Sequence, residues 1–154
     1  MICVLFVCTG NACRSPMAAA FLNRIAERAG VPTRAYSAGL SPFGHGATKG
    51  AVNAAKRWNV DLSHHRPQPM TDALAADADI ILTMTELHAA IVEAEFAAAE
   101  GKTFTLLEFI GNEGDVPDPF NRSSKVYREC AEQLWDAVGE TLRRLDGAGT
   151  REPE

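Results

Sequence analysis

The stretch ICVLFVC, residues 2–8, decides the fold, because it is a continuous apolar run about as long as one strand. A strand that is apolar at every position is typical of the centre of a parallel sheet, where helices cover both faces. The stretch TGNACRSP, residues 9–16, follows at once, and its Ser15-Pro16 pair is typical of the start of a helix. The sequence therefore opens with a predicted strand, a tight loop and a helix.

Further along the chain, predicted strands alternate with predicted helices. The first helix is expected to end near Ala29, and later helices are expected at 47–58, at 86–100 and from Ser123 or Ser124 onward; strands are expected at 33–38, 79–83 and 103–106. This alternation predicts a single-domain α/β protein with a doubly wound, four-stranded parallel sheet and helices on both faces, a flavodoxin-like arrangement. We expect the domain to span residues 1–147 and residues 148–154 to form a frayed tail.

Composition and charge narrow the possible functions. The 154 residues include 15 Lys and Arg against 20 Asp and Glu, which gives a net charge of −5. Proteins that bind nucleic acid or anionic membranes in a general way are usually basic, so we expect neither as a partner. The apolar start is too short for a membrane span and lacks a basic leader, and the 4 cysteines are too few for a disulfide scaffold. These features predict a cytoplasmic protein with reduced thiols.

The loop between Cys8 and Ser15 is where we expect the chemistry, because doubly wound sheets bind ligands beyond the carboxyl ends of their strands. Backbone N–H groups in a tight loop that leads into a helix form an anion site. Cys8 at the base of that site is stabilised as a nucleophilic thiolate, to which Ser15 can donate a hydrogen bond. Arg14 can bind two oxygens of a phosphoryl group. The N–H groups that would hold the phosphate belong to Thr9, Gly10, Asn11, Ala12, Cys13 and Arg14.

Phosphoryl transfer to sulfur also needs an acid, because the leaving group is poor until it receives a proton. Asp118 lies between Pro117 and Pro119, and these prolines keep it out of a helix or strand. Asp115 lies three residues earlier, so this loop supplies two candidate general acids. Phe120 is expected to form one wall of the substrate pocket, beside the loop residue Ala12; Leu40 and Phe43 are expected to form the opposite rim.

The stretch VCTGNACRSP, residues 7–16, resembles the signature of the low-molecular-weight protein-tyrosine phosphatases, and the likeness extends over nearly the whole chain. This resemblance implies a metal-independent, cofactor-free phosphatase that acts on phosphorylated proteins and binds phosphate or similar oxyanions. It also implies that Asp118, in Asp118-Pro119-Phe120, protonates the leaving group and then activates water. A hydrogen-bond network around Asn11, formed by Ser15, Ser37 and His64, is implied as the support of the loop. A reversible disulfide between Cys8 and Cys13 is implied as well.

The substrate is less sharply indicated than the reaction. Family members specialised for phosphotyrosine often have two aromatic residues after Asp-Pro and a bulky aliphatic residue in the loop, whereas this chain has Phe120-Asn121 and Ala12. A branch that removes phosphate from arginine is similar in Cys-Thr-Gly-Asn at the loop and in Gly114-Asp115-Val116, but carries threonine at the position of Ala12. Phosphotyrosine is the predicted substrate and phosphoarginine the alternative.

Two other functions remain as hypotheses. Thiol-dependent arsenate reductases share the fold and the Cys-x5-Arg loop, but they need a further cysteine pair near residues 82–95, where this chain has none. A non-catalytic phosphate-binding adaptor would be expected to lack the thiol, the arginine or the acid, and this chain keeps Cys8, Arg14 and Asp118.

Overall fold

The computed structural model describes residues 1–150 as one α/β domain. Two single turns of 3-10 helix, Lys56–Trp58 and Ala97–Ala99, follow the second and fourth α-helices. The strands and α-helices are, in chain order, β1 Ile2–Cys8, α1 Arg14–Ala29, β2 Thr33–Gly39, α2 Lys49–Ala55, α3 Asp72–Asp77, β3 Ile80–Thr83, α4 Glu86–Glu95, β4 Thr103–Thr105, α5 Leu106–Phe109 and α6 Ser124–Thr150.

The four strands form one parallel sheet in the order β2-β1-β3-β4. Cys8, the last residue of β1, is in register with Gly39 of β2, and Val7 is in register with Thr83 of β3. The chain leaves β1 for one neighbour and later returns to the other side of it, so the end of β1 is the topological switch point where such sheets bind ligands. The predicted doubly wound sheet is confirmed.

Successive side chains of β1 point to opposite faces of the sheet and contribute to a hydrophobic cluster on each face. Val4 and Phe6 belong to a cluster that also contains Met17 and Phe21 of α1, together with the inner side of α6. Leu5 and Val7 point to the other face, where a smaller cluster includes residues of α3 and α4. Each fully buried side chain of this size stabilises the folded state by about 1.5–3 kcal/mol of free energy. Helices therefore cover both faces, and β1 is held rigidly beneath the loop that follows it.

Several predicted boundaries differ from the structure. Helix α3 was not predicted, nor was α5, which begins at Leu106 because the side chain of Thr105 accepts a hydrogen bond from the Glu108 N–H and ends the strand. The predicted helix at 47–58 is α2 plus a 3-10 turn that ends at Asn59 in the left-handed region. Helix α6 extends to Thr150. The frayed tail expected at 148–154 stays a prediction, and its residues 151–154 lie outside the described residues.

No helix within residues 1–150 combines the length and the apolar character that crossing a membrane requires.

Candidate active site

The nucleophile expected from the sequence lies at the end of β1, buried beneath the loop. Cys8 Sγ is 2.9 Å from Ser15 Oγ in the first turn of α1. Helix α1 begins without a side-chain cap, since Cys13 at the N-cap position makes no capping hydrogen bond. Its first N–H groups and the positive end of its dipole are therefore available to an anion above the sulfur.

Asn11 holds the loop in shape from its centre. Its φ of 54° lies in the left-handed region, and the residue is fully buried. The Asn11 side-chain amide donates to Ser15 Oγ and to Ser37 Oγ, each at 2.9 Å, and its oxygen accepts from the Gln68 N–H at 2.9 Å. Asn is one of the few residues with a side chain that tolerate this backbone region, and the three hydrogen bonds fix its conformation. The structure thus brings together Asn11, Ser15 and Ser37, three members of the network that the family resemblance implies.

The expected role of His64 is wrong. His64 is 91% exposed and its Nε2 lies 3.9 Å from Asp61. The neighbouring His65 takes the predicted place, with Nε2 only 2.7 Å from the carbonyl oxygen of Asn11. A turn at Leu62, whose carbonyl accepts from the His65 N–H, directs the second histidine inward. Burial lowers the pKa of His65, so it supports the loop as a neutral N–H donor.

Arg14 and Asp118 meet across the site. Arg14 is buried, and its Nη2 lies 3.6 Å from a carboxylate oxygen of Asp118, whose side chain is 52% exposed. Arg14 Nη1 also donates to the carbonyl of Val116 at 2.9 Å, while the Val116 N–H donates to the Met84 carbonyl just after β3. The loop that carries Asp118 is therefore bound to both the sheet and Arg14, with the Asp118 carboxylate at the pocket mouth.

Two aromatic side chains flank that mouth. The rings of Phe43 and Phe120 meet edge to face with centroids 5.1 Å apart, and both are substantially exposed. Phe43 lies so close above Gly10 that a Cβ there would fall 2.0 Å from its ring. Ala12 lines the same cavity, which extends from Cys8 to the two rings. The expectation for Leu40 is wrong: it does not line this cavity but packs against the smaller hydrophobic cluster on the other face of the sheet.

Cys13, the second cysteine of the loop, lines the same cavity as Cys8. Cys13 Sγ is 3.3 Å from Thr48 Oγ1 and 3.5 Å from the Tyr127 hydroxyl, and burial raises the pKa of this thiol. Cys8 and Cys13 are both free thiols here. Cys130 is buried on α6, and burial raises its pKa to about 12, which makes this thiol a poor nucleophile.

Besides Thr48 and Tyr127, the residues that touch the loop but were not among the predicted site residues include His65, Gln68 and His88. Gln68 donates through its side chain to the Ser37 carbonyl as well as through its backbone to Asn11. His88 Nε2 lies 2.8 Å from Thr9 Oγ1. Each reaches the loop from a distant part of the chain, and no local pattern signals such a contact. Within residues 1–150, no group of three His, Cys, Asp or Glu side chains is arranged to hold a metal ion.

The site combines the buried Cys8 thiol and Arg14 at the two ends of one loop with the Asp118 carboxylate across the pocket mouth. This arrangement on an α/β fold is typical of a cysteine-dependent phosphatase. Its family is given by the match of residues 3–150 to the model of the low molecular weight phosphotyrosine protein phosphatases. The chain belongs to this family, as its signature predicted.

Individual relatives resemble the chain over almost its full length. The protein-arginine-phosphatase of Bacillus subtilis is 40% identical over 145 residues, which cover 92% of this chain and 95% of that protein. The low molecular weight protein-tyrosine-phosphatase PtpB of Staphylococcus haemolyticus is 33% identical, covering 88% and 94%. A solved structure of the YwlE arginine phosphatase, a cysteine-to-serine mutant with a phosphorylated active-site serine, has a TM-score of 0.90 at 37% identity and covers 94% and 96%.

Proposed function

We propose that the chain removes phosphate from proteins through a phosphocysteine intermediate. Cys8 sulfur attacks phosphorus, the S–P bond forms, and the bond to the leaving oxygen or nitrogen breaks as Asp118 delivers a proton. Water then attacks phosphorus and gives its proton to Asp118, the S–P bond breaks, and inorganic phosphate leaves. Arg14 and the loop N–H groups hold the phosphoryl oxygens throughout. The phosphorylated active-site serine in the related mutant supports a covalent step at this position.

The observation that carries the proposal is the hydrogen bond between Ser15 and Cys8. As a thiolate Cys8 has no hydrogen to donate, so the Ser15 hydroxyl, whose oxygen already accepts from the Asn11 amide, is the donor to the sulfur 2.9 Å away. A donor aimed at this sulfur stabilises the thiolate both before attack and when it leaves phosphorus in the second step. A buried cysteine with only a packing role has no use for this donor.

Phosphotyrosine is the proposed substrate because of the walls of the pocket. Phe43 and Phe120 present exposed ring surfaces at the mouth, against which a flat aromatic ring can pack. A phosphate carried on such a ring would reach the loop, where Cys8 forms the floor of the same cavity.

Phosphoarginine is the second candidate substrate, and the comparisons favour it, since the 40% identical relative carries that activity in its name. A planar guanidinium also packs on aromatic rings. Ala12 is the residue that separates the two candidates, because it is 2% exposed, lines the cavity and offers no hydroxyl, whereas the arginine branch carries threonine at this position.

The test is phosphate release from matched phosphotyrosine and phosphoarginine peptides, compared as kcat/KM, with Cys8→Ser as the blank. Ala12→Thr is the matched variant, which we expect to shift the ratio toward phosphoarginine. A higher kcat/KM for phosphotyrosine supports the first substrate, and a higher value for phosphoarginine supports the second. Release by Cys8→Ser at the wild-type rate would overturn the mechanism.

We also propose that Cys8 and Cys13 form a reversible disulfide. The protein is proposed to work in the cytoplasm. A nucleophilic thiol acts only while it is reduced, and a neighbouring thiol can protect it from irreversible oxidation. Both thiols line one cavity and both are free. Activity lost to peroxide should return with dithiothreitol in the wild type and should not return in Cys13→Ala.

A further inference from the structure

A buried histidine outside the predicted site holds the residue next to the nucleophile. His88 lies in the first turn of α4 and is 5% exposed. Its backbone N–H donates to the side chain of the cap residue Thr85, which fixes this turn. Its Nε2 lies 2.8 Å from Thr9 Oγ1. Thr9 follows Cys8 directly, is exposed, and lines the same cavity as Asp118.

The other ring nitrogen of His88 faces a different environment. Nδ1 is buried and has no hydrogen-bond partner among residues 1–150. A charged ring would bury a second N–H there without an acceptor. Burial, and after it the nearby Arg14 guanidinium, lower the pKa of His88 to about 4, and the opposing carboxylates Asp115 and Asp118 only partly offset this. The ring is therefore neutral across the physiological range.

A neutral imidazole carries one proton, and its position decides what Thr9 can do. If the proton were on Nδ1, an N–H would be buried without an acceptor, and the Thr9 hydroxyl would be spent as the donor to Nε2. If the proton is on Nε2, the ring donates to Thr9 Oγ1, and only a lone pair remains unmatched at Nδ1. Orphaned buried N–H groups are the rarer case in proteins, so the second arrangement is favoured.

We infer that His88 is a positioning residue whose Nε2–H donates to Thr9 Oγ1, so that the Thr9 hydroxyl hydrogen is left to donate to an oxygen of the phosphoryl group in the pocket. This inference rests on the proposed phosphatase function and adds to it a donor that does not belong to the loop backbone. Thr9 would touch the substrate directly, whereas His88 would act only through Thr9.

The proton position can be measured without any turnover. Protein labelled with nitrogen-15 at histidine gives two-bond proton–nitrogen correlations that distinguish the two neutral tautomers from the charged ring, with His88→Gln used for assignment. We expect the Nε2–H tautomer for His88, unchanged from neutral pH to about pH 5. The Nδ1–H tautomer, or a charged ring in this range, would overturn the inference even if the enzyme proves fully active.

Binding of inorganic phosphate provides the second readout. Thr9→Val removes the hydroxyl at nearly constant volume, His88→Leu removes the ring donor, and His88→Gln keeps an N–H donor that cannot titrate. Thr9→Val and His88→Leu should each weaken phosphate binding by about tenfold, and the double variant by no more than either alone. His88→Gln should bind nearly as tightly as the wild type.

Additive losses in the double variant, or a loss in His88→Gln equal to that in His88→Leu, would contradict the role of His88. These outcomes are distinct from failure of the proposed function, which would show as absent turnover by a wild-type protein that still binds phosphate. Thermal unfolding of each variant identifies any loss caused by misfolding, and His88→Gln remains informative if His88→Leu does not fold.

Discussion

The Asn11 side-chain amide donates a hydrogen bond to Ser15 Oγ at 2.9 Å and holds that oxygen 2.9 Å from the Cys8 sulfur. When Cys8 is a thiolate, only Ser15 has a hydrogen to donate, so its hydroxyl donates to the sulfur. A residue that never touches the phosphate thus sets the electrostatic environment of the nucleophile. Asn11 also adopts a positive φ at the centre of the loop, so the residue that binds Ser15 is one with a strained backbone.

Asn11→Ala should lower the free energy of unfolding by about 2–4 kcal/mol, because two buried hydrogen bonds and one partly buried hydrogen bond are lost and their partners are left unpaired. Asn59→Ala is the matched control: Asn59 has a φ of 59° but lies exposed at the end of a 3-10 turn. Urea unfolding of both variants separates the free-energy cost of placing Ala at a positive φ from the cost of losing the Asn11 side-chain hydrogen bonds. Equal losses in the two would mean that the Asn11 side-chain bonds add no stability.

The two adjacent histidines should respond very differently to the same change. His65→Ala removes the contact to the Asn11 carbonyl and should lower kcat/KM at least about tenfold by loosening the loop. His64→Ala should leave the activity unchanged, since this side chain lies in solvent. Steady-state kinetics on one substrate suffice. If His64→Ala were the impaired variant, the assignment of His65 as the loop support would be wrong.

Asp118→Asn should slow phosphate release in proportion to how much the leaving group needs a proton. With an alkyl phosphate or a phosphotyrosine peptide we expect a loss of about 10²–10⁴-fold in kcat/KM, as is usual for removal of a general acid. With a nitrophenyl phosphate, whose leaving group is already a weak base, the loss should be much smaller. An equal loss on both substrates would point to Arg14 misplacement, because Asp118 is also its ion-pair partner.

His88 should make the fold less stable in acid. Its folded-state pKa of about 4 lies below the ordinary 6.5, so the unfolded chain binds the proton first as the pH falls. Stability rises with pH wherever the unfolded state binds more protons, so this contribution is complete above pH 6.5 and is lost toward pH 4. The decrease in melting temperature between neutral pH and about pH 5 should therefore be smaller in His88→Gln than in the wild type. A decrease as large in the variant would exclude His88 as a source of this acid sensitivity.

Contacts that are local in sequence were the predictable ones. The strand, the loop and the helix start lie within residues 2–16, and the relation of Cys8 to Arg14 and Ser15 follows from that short stretch. The need for an acid in a loop indicates Asp115 and Asp118, and the resemblance of Asp118-Pro119-Phe120 to the family motif selects Asp118. These inferences depend on backbone rules that act over a few residues.

Side-chain direction at long range was not predictable. His64 and His65 are adjacent, and only the turn at Leu62 determines which one faces Asn11. Leu40 is expected at the pocket because the loop after β2 leads there, but it is partly buried against the hydrophobic cluster on the other face. The contact of His88 with Thr9 joins residues that are 79 positions apart. Tertiary packing determines the direction of these side chains, and no local pattern in the sequence predicts it.

The most direct test of the mechanism is to trap the covalent intermediate. Wild-type protein is mixed with a nitrophenyl phosphate, quenched in acid within milliseconds and digested, and the peptide containing Cys8 is weighed by mass spectrometry, with Cys8→Ala as the control. The account predicts one phosphoryl group on Cys8 in the wild type and none in the control. Rapid turnover with unmodified Cys8 at every time point, or phosphate on another residue, would contradict it.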